Sequence, residues 1–340
     1  MTLRIAINGL GRIGRCCVRA ICEQKSDEIK LVAVNGTMPA ESYTTLLQYD
    51  SIHGKFSQNI NADGDKLFIG NNEIKVFNEQ EPENLPWAAE KIDLVLECTG
   101  KFKSRELASK HLYAGAKKVI ISAPGNEIDA TIVFGVNNHV LKDEHKIISI
   151  GSCTTNALAP LAKVLNDALG IEQGYMTTVH AYTSDQKVLD NRHKDLRRAR
   201  ACHLSMIPTA TGAAKALGLV LPELEGKISG SAIRVPVPNV SLIDFTFSST
   251  RKTSREEVNE IVQRASDSSM KNIIDVAEKE LVSVDFNHST HSTVFDPFET
   301  QVVNKKLVRI ASWYDNEWGF TNRMIDVAML IKTLAAVSYK

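Results

Sequence analysis

Cys153 is the residue whose place in the sequence most favours chemistry. Residues 149–161 read SIGSCTTNALAPL, and a helical pattern begins at Thr154. A thiol at a helix N-terminus is stabilised as the thiolate, so we expect its pKa to lie below the usual value of about 8.5. The other cysteines lie within strand or helix patterns, where cysteine is usually a small buried apolar residue: Cys16, Cys17, Cys22, Cys98 and Cys202. Cys153 is therefore the candidate nucleophile.

A nucleophilic cysteine needs a base within hydrogen-bond reach. His180 lies in the strand-like segment MTTVHAYT, next to polar residues, and is the best candidate of nine histidines. Its spacing alone is more typical of a core or surface histidine than of a catalytic one. We interpret it as the candidate base for Cys153.

A basic run, RHKDLRRAR at 192–200, contains Arg192 and Arg198. Such a run is usually a solvated face or a subunit contact. Thr211 and Gly212 open a helical pattern soon after it, and Arg234 lies in a short strand pattern. Hydroxyls, a helix-start amide and arginines are groups that hold phosphate, so a phosphate site is the alternative interpretation.

Three glycines, Gly9, Gly11 and Gly14, form a G-x-G-x-x-G pattern between a buried strand and a helix. The first permits the tight turn, the second lets a pyrophosphate approach the backbone, and the third lets the helix pack on the strand. The pattern in this context predicts a dinucleotide-binding turn.

The acidic residue expected about 20 positions later, on the adenosine ribose, is missing. Residues 30–38 read KLVAVNGTM, with Asn35 and Gly36 at the strand end. One interpretation is that the Asn35 amide alone holds the ribose of NAD. The other is that NADP is also accepted, because no carboxylate repels its 2′-phosphate.

The pattern of elements changes near Gly151. Before it, short buried strands and helices alternate, which predicts a parallel, doubly wound sheet. After it, one amphipathic helix precedes longer strands that favour a mixed, mainly antiparallel sheet. Strands are predicted at 3–8, 30–35, 93–98, 118–122, 131–136, 146–150, 174–183, 231–237, 241–249 and 307–314, and helices at 11–24, 104–114, 154–169 and 323–337.

The fold class predicted from these patterns is α/β, with a Rossmann dinucleotide-binding domain and an α+β catalytic domain. At about 150 residues per domain, 340 residues suit two domains. We expect the first at 1–151, completed by a C-terminal helix at 317–340. The second, at 152–316, is expected to carry catalysis and oligomerisation.

Composition excludes several classes of protein. Lys and Arg total 40, as do Asp and Glu, so nothing attracts nucleic acid or an anionic membrane at long range. With 43% hydrophobic and 24% charged residues the chain is typical of folded proteins. Six cysteines without C-x-x-C spacing indicate a reducing compartment and give no metal signature. Without a signal-peptide core or a run of about 18 apolar residues, we expect a cytoplasmic protein with no membrane span.

Together these segments resemble phosphorylating glyceraldehyde-3-phosphate dehydrogenases, essentially from end to end. The resemblance is carried by INGLGRIGR, YDSIHGKF, KKVIISAP, SCTTNALAP, TTVHAYTSDQK, HKDLRRARA, TGAAKALGLVLPEL, RVPVPNVS and SWYDNEWGF. It implies a homotetramer. It also implies phosphorylating oxidation of D-glyceraldehyde 3-phosphate to 1,3-bisphosphoglycerate, in glycolysis or gluconeogenesis, through a cysteine thioester with hydride transfer to NAD or NADP.

The resemblance also implies a role for each site residue. Cys153 is the nucleophile and His180 its base; Thr183 and Arg234 bind the phosphate of the substrate. The incoming inorganic phosphate is assigned to Ser152, Thr154, Arg198, Thr211 and Gly212. Cofactor contacts are assigned to the glycine turn with Arg12 and Ile13 at the pyrophosphate, Asn35 at the adenosine ribose, Ser122 at the nicotinamide ribose and Asn316 at the carboxamide.

Two departures from the family pattern concern cofactor choice. Gly36 replaces the usual Asp, and Asn191-Arg192 replaces a usual Leu-Pro in a loop that, in this family, reaches the adenosine of a neighbouring subunit. Arg192 could therefore pair with a 2′-phosphate across the interface. We expect dual or NADP-leaning use, and expect Gly36→Asp to shift the preference back toward NAD.

Other functions stay open at this point. Erythrose-4-phosphate dehydrogenase shares the fold, the cysteine and the histidine. A hydrolytic aldehyde dehydrogenase would work without inorganic phosphate. A dinucleotide-sensing or interaction protein could keep the fold without catalysis.

Overall fold

The described part of the chain divides into two units just after Gly151. The computed structural model describes residues 2–24 and 26–338. One unit comprises the chain up to Gly151 and the part of the last helix from Thr321 onward, and the other is Ser152–Phe320. The predicted closing helix, 317–340, includes residues 339 and 340, which lie outside the described residues.

The first unit is built on a mainly parallel sheet. Its strands are β1 Leu3–Asn8, β2 Ile29–Asn35, β3 Tyr49–Asp50, β4 Gly54–Lys55, β5 Ile60–Asp63, β6 Lys66–Ile69, β7 Asn72–Phe77, β8 Leu94–Glu97, β9 Lys118–Ile121, β10 Ala130–Thr131 and β11 Ile147–Ser149. Its helices are α1 Arg12–Gln24, α2 Ala40–Gln48 and α3 Arg105–Tyr113.

Within the described residues, nine strands form this sheet in the order β10-β11-β9-β8-β1-β2-β7-β6-β5, and β3 pairs with β4 separately. The chain leaves central β1 toward β2 and later returns to β8 on its other side. In open α/β sheets, ligands bind outside the carboxyl ends of the strands at such a reversal. The end of β1, at the glycine turn, is therefore positioned for a ligand.

The glycine turn shows why these positions lack side chains. Gly9 has a φ of +96°, and a Cβ on it would lie 2.7 Å from the backbone nitrogen of Thr99. A Cβ on Gly14 would lie 1.9 Å from the carbonyl oxygen of Gly9, so close packing of α1 on β1 requires glycine there. A Cβ on Gly11 would meet no atom within 4 Å. The space beside Gly11 is open to a ligand.

The second unit contains a mixed sheet. Its elements are α4 Cys153–Leu169, β12 Ile171–Ala181, β13 Ile207–Ala210, α5 Ala213–Val220, β14 Ile228–Val235, β15 Ser241–Ser249, α6 Arg255–Asp267, β16 Ile274–Val276, β17 Thr293–Val303 and β18 Leu307–Tyr314, and α7 Trp318–Ser338 closes the chain. In the described chain, seven strands form it in the order β13-β14-β12-β15-β18-β17-β16. Only β12–β14 and β16–β17 pair in parallel. The predicted α/β class with a mixed, mainly antiparallel second sheet is confirmed.

Several predicted elements differ from the structure. The strand expected at 131–136 is reduced to Ala130–Thr131, because the segment turns there and the Asn137 side chain bonds the backbone of Val133 and Thr131. The first sheet is not wholly parallel, since β5, β6 and β7 pair in antiparallel fashion. The pattern had not predicted these strands, nor β17, which pairs with β18 on the side away from β15.

Among the described helices, none combines the length and the apolar character that crossing a membrane requires.

Replacing Gly14 with alanine should destabilise the protein, because the added methyl group would overlap the carbonyl oxygen of Gly9. We expect the free energy of unfolding to fall by at least about 1–3 kcal/mol. Gly11→Ala is the matched control and should change it by less than about 0.5 kcal/mol. Urea unfolding of the two variants measures the difference, and equal midpoints would contradict this packing argument.

Candidate active site

Two neighbouring strands bring His180 and Arg234 together. β12 and β14 run in parallel, and their register places His180 directly beside Arg234. The Arg234 guanidinium donates to the carbonyl oxygen of Ala181 at 2.9 Å. His180 is only 3% exposed and packs edge-on against the ring of Tyr314, with ring centres 5.8 Å apart. The sheet therefore holds an imidazole and a guanidinium side by side.

Cys153 is the first residue of α4, and Ser152 caps that helix. The Ser152 hydroxyl accepts a hydrogen bond from the backbone N–H of Thr155 at 3.1 Å. Cys153 Sγ lies 3.5 Å from His180 Nε2. The predicted nucleophile and base are thus brought into contact although 26 residues separate them in the sequence.

The other ring nitrogen of His180 decides what Nε2 can do. Nδ1 lies 2.6 Å from the carbonyl oxygen of Ala181 and 2.7 Å from an Arg234 nitrogen. The first contact needs a proton on Nδ1 and leaves Nε2 as an acceptor for the thiol proton. The second needs a bare Nδ1 and gives Nε2 a proton that it can donate to sulfur. Both arrangements couple the ring to Cys153.

Burial favours the uncharged forms of Cys153 and His180, which contradicts the expected thiolate. Burial raises the pKa of the Cys153 thiol, and this outweighs the opposing effects of Arg234 and the Thr154 hydrogen bonds. Burial, and then the charge of Arg234, lower the pKa of His180 to about 3. Desolvation penalises charge on both groups. Our expectation of a lowered thiol pKa was wrong, and at neutral pH the thiol and the imidazole are both uncharged.

Arg198 lies near this pair and is held by its own loop. Its guanidinium donates to Asp185 at 2.7 Å, to the Thr209 hydroxyl at 2.9 Å and to the Ala210 carbonyl at 3.2 Å. Burial is the main cause that lowers the pKa values of His180 and Arg234, and the positive charge of Arg198 lowers both further. The structure thus brings the two predicted arginines together around the histidine.

The remaining predicted phosphate residues have different surroundings. The Thr154 hydroxyl is buried and lies 3.0 Å from the Tyr314 hydroxyl, which in turn contacts Thr178 at 2.8 Å. Thr183 bonds Gln186 through both its backbone N–H and its hydroxyl, at 2.9 and 3.2 Å. Thr211 and Gly212 begin α5: Gly212 is its exposed N-cap, and the Thr211 hydroxyl accepts from Ala213 N at 3.2 Å.

Asn316 is oriented from the same sheet. The Ser241 hydroxyl donates to the Asn316 side-chain oxygen at 2.9 Å and accepts from the backbone N–H of Ala181 at 3.0 Å. With its oxygen so engaged, the Asn316 amide can turn its N–H groups to a ligand. Asn316 is thereby tied to the strand that carries His180.

In the first unit, the predicted pyrophosphate residues begin α1 beside the open space at Gly11. The Arg12 guanidinium forms a two-pronged ion pair with Asp50, at 2.5 and 3.1 Å. Asp50 also accepts from the backbone N–H groups of Ile52 and His53, and with the Arg12 bonds these hold its carboxyl pKa well below the usual range despite burial. Ile13 is half-buried in the same turn.

The Asn35 side chain is used within the protein. Its amide donates to Asn8 at 2.7 Å and to the Glu79 carbonyl at 2.8 Å, and its oxygen accepts from Glu79 N at 2.9 Å. Both amide hydrogens are thus taken. The amide hydrogens are therefore not available to a ribose, and the assignment of Asn35 to the adenosine ribose stays a prediction that depends on its side-chain oxygen.

Gly36 is closely packed against Tyr43. A Cβ on Gly36 would lie 2.0 Å from the Tyr43 hydroxyl oxygen. Gly36→Asp therefore cannot be accommodated unless Tyr43 moves, which corrects the expectation that this single change restores an acidic ribose site. Ser122 follows β9, where its N–H donates to the Glu97 carbonyl at 3.0 Å, and Arg192 lies exposed in the loop that follows β12.

Sequence reasoning missed the residues that support these groups. They are Asp185 and Thr209 beside Arg198, Tyr314 and Ser241 near His180, Asp50 beside Arg12, and Tyr43 behind Gly36. Four of them lay in segments that carried the resemblance: Tyr314 in SWYDNEWGF, Asp50 in YDSIHGKF, Asp185 in TTVHAYTSDQK and Ser241 in RVPVPNVS. The others act through contacts that sequence spacing does not show.

Comparison with known proteins identifies the family. The family described as "Glyceraldehyde 3-phosphate dehydrogenase, NAD binding domain" matches residues 3–105, and "Glyceraldehyde 3-phosphate dehydrogenase, C-terminal domain" matches residues 152–316. The chain belongs to the glyceraldehyde 3-phosphate dehydrogenase family. It is therefore an oxidoreductase with a nicotinamide-dinucleotide-binding domain, as the sequence predicted.

Named relatives agree along nearly the whole chain. The glyceraldehyde-3-phosphate dehydrogenase of Xanthobacter flavus is 52% identical over 334 residues, which is 98% of this chain and 100% of the relative. The chromosomal glyceraldehyde-3-phosphate dehydrogenase of Cupriavidus necator is 52% identical over 97% of this chain and 99% of its own length. Glyceraldehyde-3-phosphate dehydrogenase 2 of Bacillus subtilis is 50% identical over 99% and 98%.

His180 should make stability fall in acid. Its pKa is about 3 in the folded chain against 6.5 ordinarily, so between these values the unfolded chain binds a proton that the native state does not. Its contribution to the free energy of unfolding then decreases by up to about 1.4 kcal/mol per pH unit as pH falls.

His180→Gln should flatten this dependence, measured by urea unfolding between pH 7 and pH 4. The control, His203→Gln, changes an exposed histidine and should keep the wild-type slope. If the slopes of wild type and His180→Gln coincide, the neutral buried imidazole is disproved.

Proposed function

We propose that this chain catalyses the phosphorylating oxidation of D-glyceraldehyde 3-phosphate to 1,3-bisphosphoglycerate, with NAD or NADP as the oxidant, in glycolysis or gluconeogenesis. The observation that carries the proposal is the contact of Cys153 Sγ with His180 Nε2 at 3.5 Å, beside Arg234, in a chain of this family. A thiol, a base and a fixed cation are the groups that aldehyde oxidation through a thioester requires.

The first step is addition of sulfur to the aldehyde carbon. His180 Nε2 takes the thiol proton as the C–S bond forms, so that no charge has to persist on buried sulfur beforehand. Backbone N–H groups at the start of α4 are aligned to stabilise the oxygen of the hemithioacetal. His180 returns its proton to that oxygen, which becomes the hydroxyl of the hemithioacetal, and takes the proton back as hydride leaves the carbon.

The bound nicotinamide supplies the hydride acceptor. The residues that suit this group are the Gly9–Gly14 turn with its open space at Gly11, Arg12 held by Asp50, Ser122 at the end of β9, and Asn316 oriented by Ser241. In the glycine turn, Cβ atoms at Gly9 and Gly14 would collide while one at Gly11 would not, which suits a backbone that packs tightly and receives a pyrophosphate.

Phosphate then attacks the thioester. Arg234 and Thr183 suit the phosphate of the substrate, and Arg198, Thr211 and Gly212 suit the inorganic phosphate, with Ser152 and Thr154 contributing the helix start. Asp185 neutralises part of the Arg198 charge in the resting site. An arriving phosphate would therefore compete with Asp185 for Arg198, and a dianion can prevail over a half-exposed carboxylate.

We infer a homotetramer in the cytoplasm. The loop after β12 exposes several large apolar side chains, each more than 70% accessible: Val188, Leu189, Leu196, Leu204 and Met206. A concentration of exposed large apolar side chains in one loop is a feature of protein interfaces. All six cysteines are free, which suits a reducing compartment. Arg192 lies in the same loop, where it could reach the cofactor of a neighbouring subunit.

Cys153→Ser should lower the rate of acyl-phosphate formation by about 10³-fold or more, because an alcohol is a much weaker nucleophile than a thiol. Cys22→Ala is the control and should keep full activity. Burial raises the pKa of the Cys22 thiol to about 12, so it should not react with iodoacetate at neutral pH. Iodoacetate should inactivate the wild type by alkylating Cys153.

Steady-state rates with glyceraldehyde 3-phosphate and erythrose 4-phosphate, each with and without inorganic phosphate, give the measurement. Undiminished activity of Cys153→Ser would overturn the assigned nucleophile. Full-speed turnover without phosphate would indicate a hydrolytic dehydrogenase, and preference for the four-carbon sugar would indicate erythrose-4-phosphate dehydrogenase.

Both cofactors should support turnover, with NADP at least comparable to NAD. The reason is the loss of a carboxylate at Gly36 and the gain of a cation at Arg192. Comparison of kcat/KM for the two cofactors checks this, and a preference for NAD above about a hundredfold, roughly 2.7 kcal/mol, would contradict it. Arg192→Gln should weaken NADP selectively, whereas Lys194→Gln, another exposed cation of the loop, should affect both cofactors equally.

A further inference from the structure

The end of β2 is the place where dinucleotide-binding sheets present an acidic side chain to the adenosine ribose. Here the chain has Gly36, and the space of its missing side chain is filled by the hydroxyl of Tyr43, only 2.0 Å from where a Cβ would stand. Tyr43 belongs to α2 and is 2% exposed, so its ring is fixed by the core. The Tyr43 hydroxyl therefore takes the place of the acidic side chain, and the packing of α2 holds it there.

The hydrogen bonds of Tyr43 define what it can offer. Its hydroxyl oxygen accepts from the backbone N–H groups of Thr37 and Met38, at 2.9 and 3.2 Å. An oxygen that accepts two hydrogen bonds keeps one donor, its own proton. Among the described residues, that proton has no acceptor. A carboxylate at this place would offer acceptors only, whereas the phenol offers a donor without charge.

The two neighbouring amide groups, of Asn35 and Gly36, do not supply this donor. Both Asn35 amide hydrogens go to Asn8 and the Glu79 carbonyl. The Gly36 N–H donates to the Phe77 carbonyl at 3.0 Å. The Glu79 carboxylate is itself engaged, as it accepts from the backbone N–H of Glu81 at 2.9 Å.

We propose that Tyr43 is a specificity-determining residue for the cofactor: its hydroxyl, which lies where a side chain on Gly36 would stand, donates to the oxygen at the ribose 2′ position and favours a 2′-phosphate. This inference rests on the proposed function only in taking a nicotinamide dinucleotide as the ligand. A phosphate oxygen is an anionic acceptor and gains more from such a donor than a ribose hydroxyl does. Gly36 and Tyr43 thus act together, because the missing side chain at Gly36 leaves room for the Tyr43 hydroxyl.

The test measures binding without hydride chemistry. Calorimetric titration with ADP-ribose and 2′-phospho-ADP-ribose, which lack the nicotinamide, gives the ratio of the two dissociation constants. Tyr43→Phe should weaken the 2′-phosphorylated ligand about tenfold more than ADP-ribose, as expected for one hydrogen bond to a charged group. The control, Tyr49→Phe, changes a 58% exposed tyrosine and should leave the ratio unchanged.

A second pair of variants tests the shared space. Gly36→Asp alone should lower the melting temperature and weaken both ligands, because the introduced side chain would overlap the Tyr43 hydroxyl. Adding Tyr43→Leu, whose side chain ends short of the overlap, should restore the melting temperature and shift the ratio at least about tenfold toward ADP-ribose, since a carboxylate repels the phosphate.

The outcomes separate this inference from the proposed function. A ratio unchanged by Tyr43→Phe, or equal loss of both ligands, would overturn it and leave only a structural role for the hydroxyl. A Gly36→Asp variant with wild-type stability and wild-type ratio would overturn it as well. If the ratios change as expected but no variant, nor the wild type, oxidises the sugar phosphate, the proposed function fails while the role of Tyr43 stands.

Discussion

Parallel pairing of β12 with β14 is the constraint on which the catalytic arrangement depends. The register sets His180 beside Arg234, and the same strand end provides the Ala181 carbonyl that both side chains contact. A shift of either strand by one residue would turn its side chain to the opposite face of the sheet, away from its partner. Cys153 must then meet the imidazole from a different element, the first turn of α4, whose cap at Ser152 fixes where the helix begins.

Burial decides the charge state of this arrangement. A helix N-terminus and a nearby guanidinium both favour a thiolate, yet the thiol pKa is raised because the sulfur is withdrawn from water. The same withdrawal and the charge of Arg234 keep His180 neutral. An uncharged thiol and imidazole at rest make proton transfer part of the attack on the aldehyde, rather than a step completed in advance.

The cofactor side depends on a buried polar network at the carboxyl ends of β1, β2 and β8. Asn8 donates to Glu97 at 2.6 Å, and Asn35 donates to Asn8. The Trp87 indole donates to His111 Nδ1 at 3.0 Å, which leaves Nε2 to donate to Glu97 at 3.0 Å. Satisfied buried networks of this kind specify one arrangement, because any unpaired member would be costly. They hold the strand ends that surround the glycine turn.

Elements with strong local sequence patterns could be predicted from the sequence. They are the strand–glycine–helix turn at Gly9–Gly14, the capped start of α4 at Ser152 and Cys153, and the alternating strands β15 and β18. The sequence also contained the segments that assign the family. Which side chains contact the site residues became known only from the tertiary structure. The contacts of Asp185 with Arg198, of Ser241 with Asn316 and of Tyr43 with Gly36 are not indicated by any spacing in the sequence.

The pKa of Cys153 also depends on the tertiary structure. The favourable helix start is visible in the sequence, but the amount of water around the sulfur depends on every segment packed over it. The Asn35 amide illustrates the same point, since its hydrogens are claimed by Asn8 and Glu79, which lie 27 and 44 residues away. Local backbone preferences are short-ranged and can be read along the chain, whereas desolvation and side-chain pairing arise only when distant segments meet.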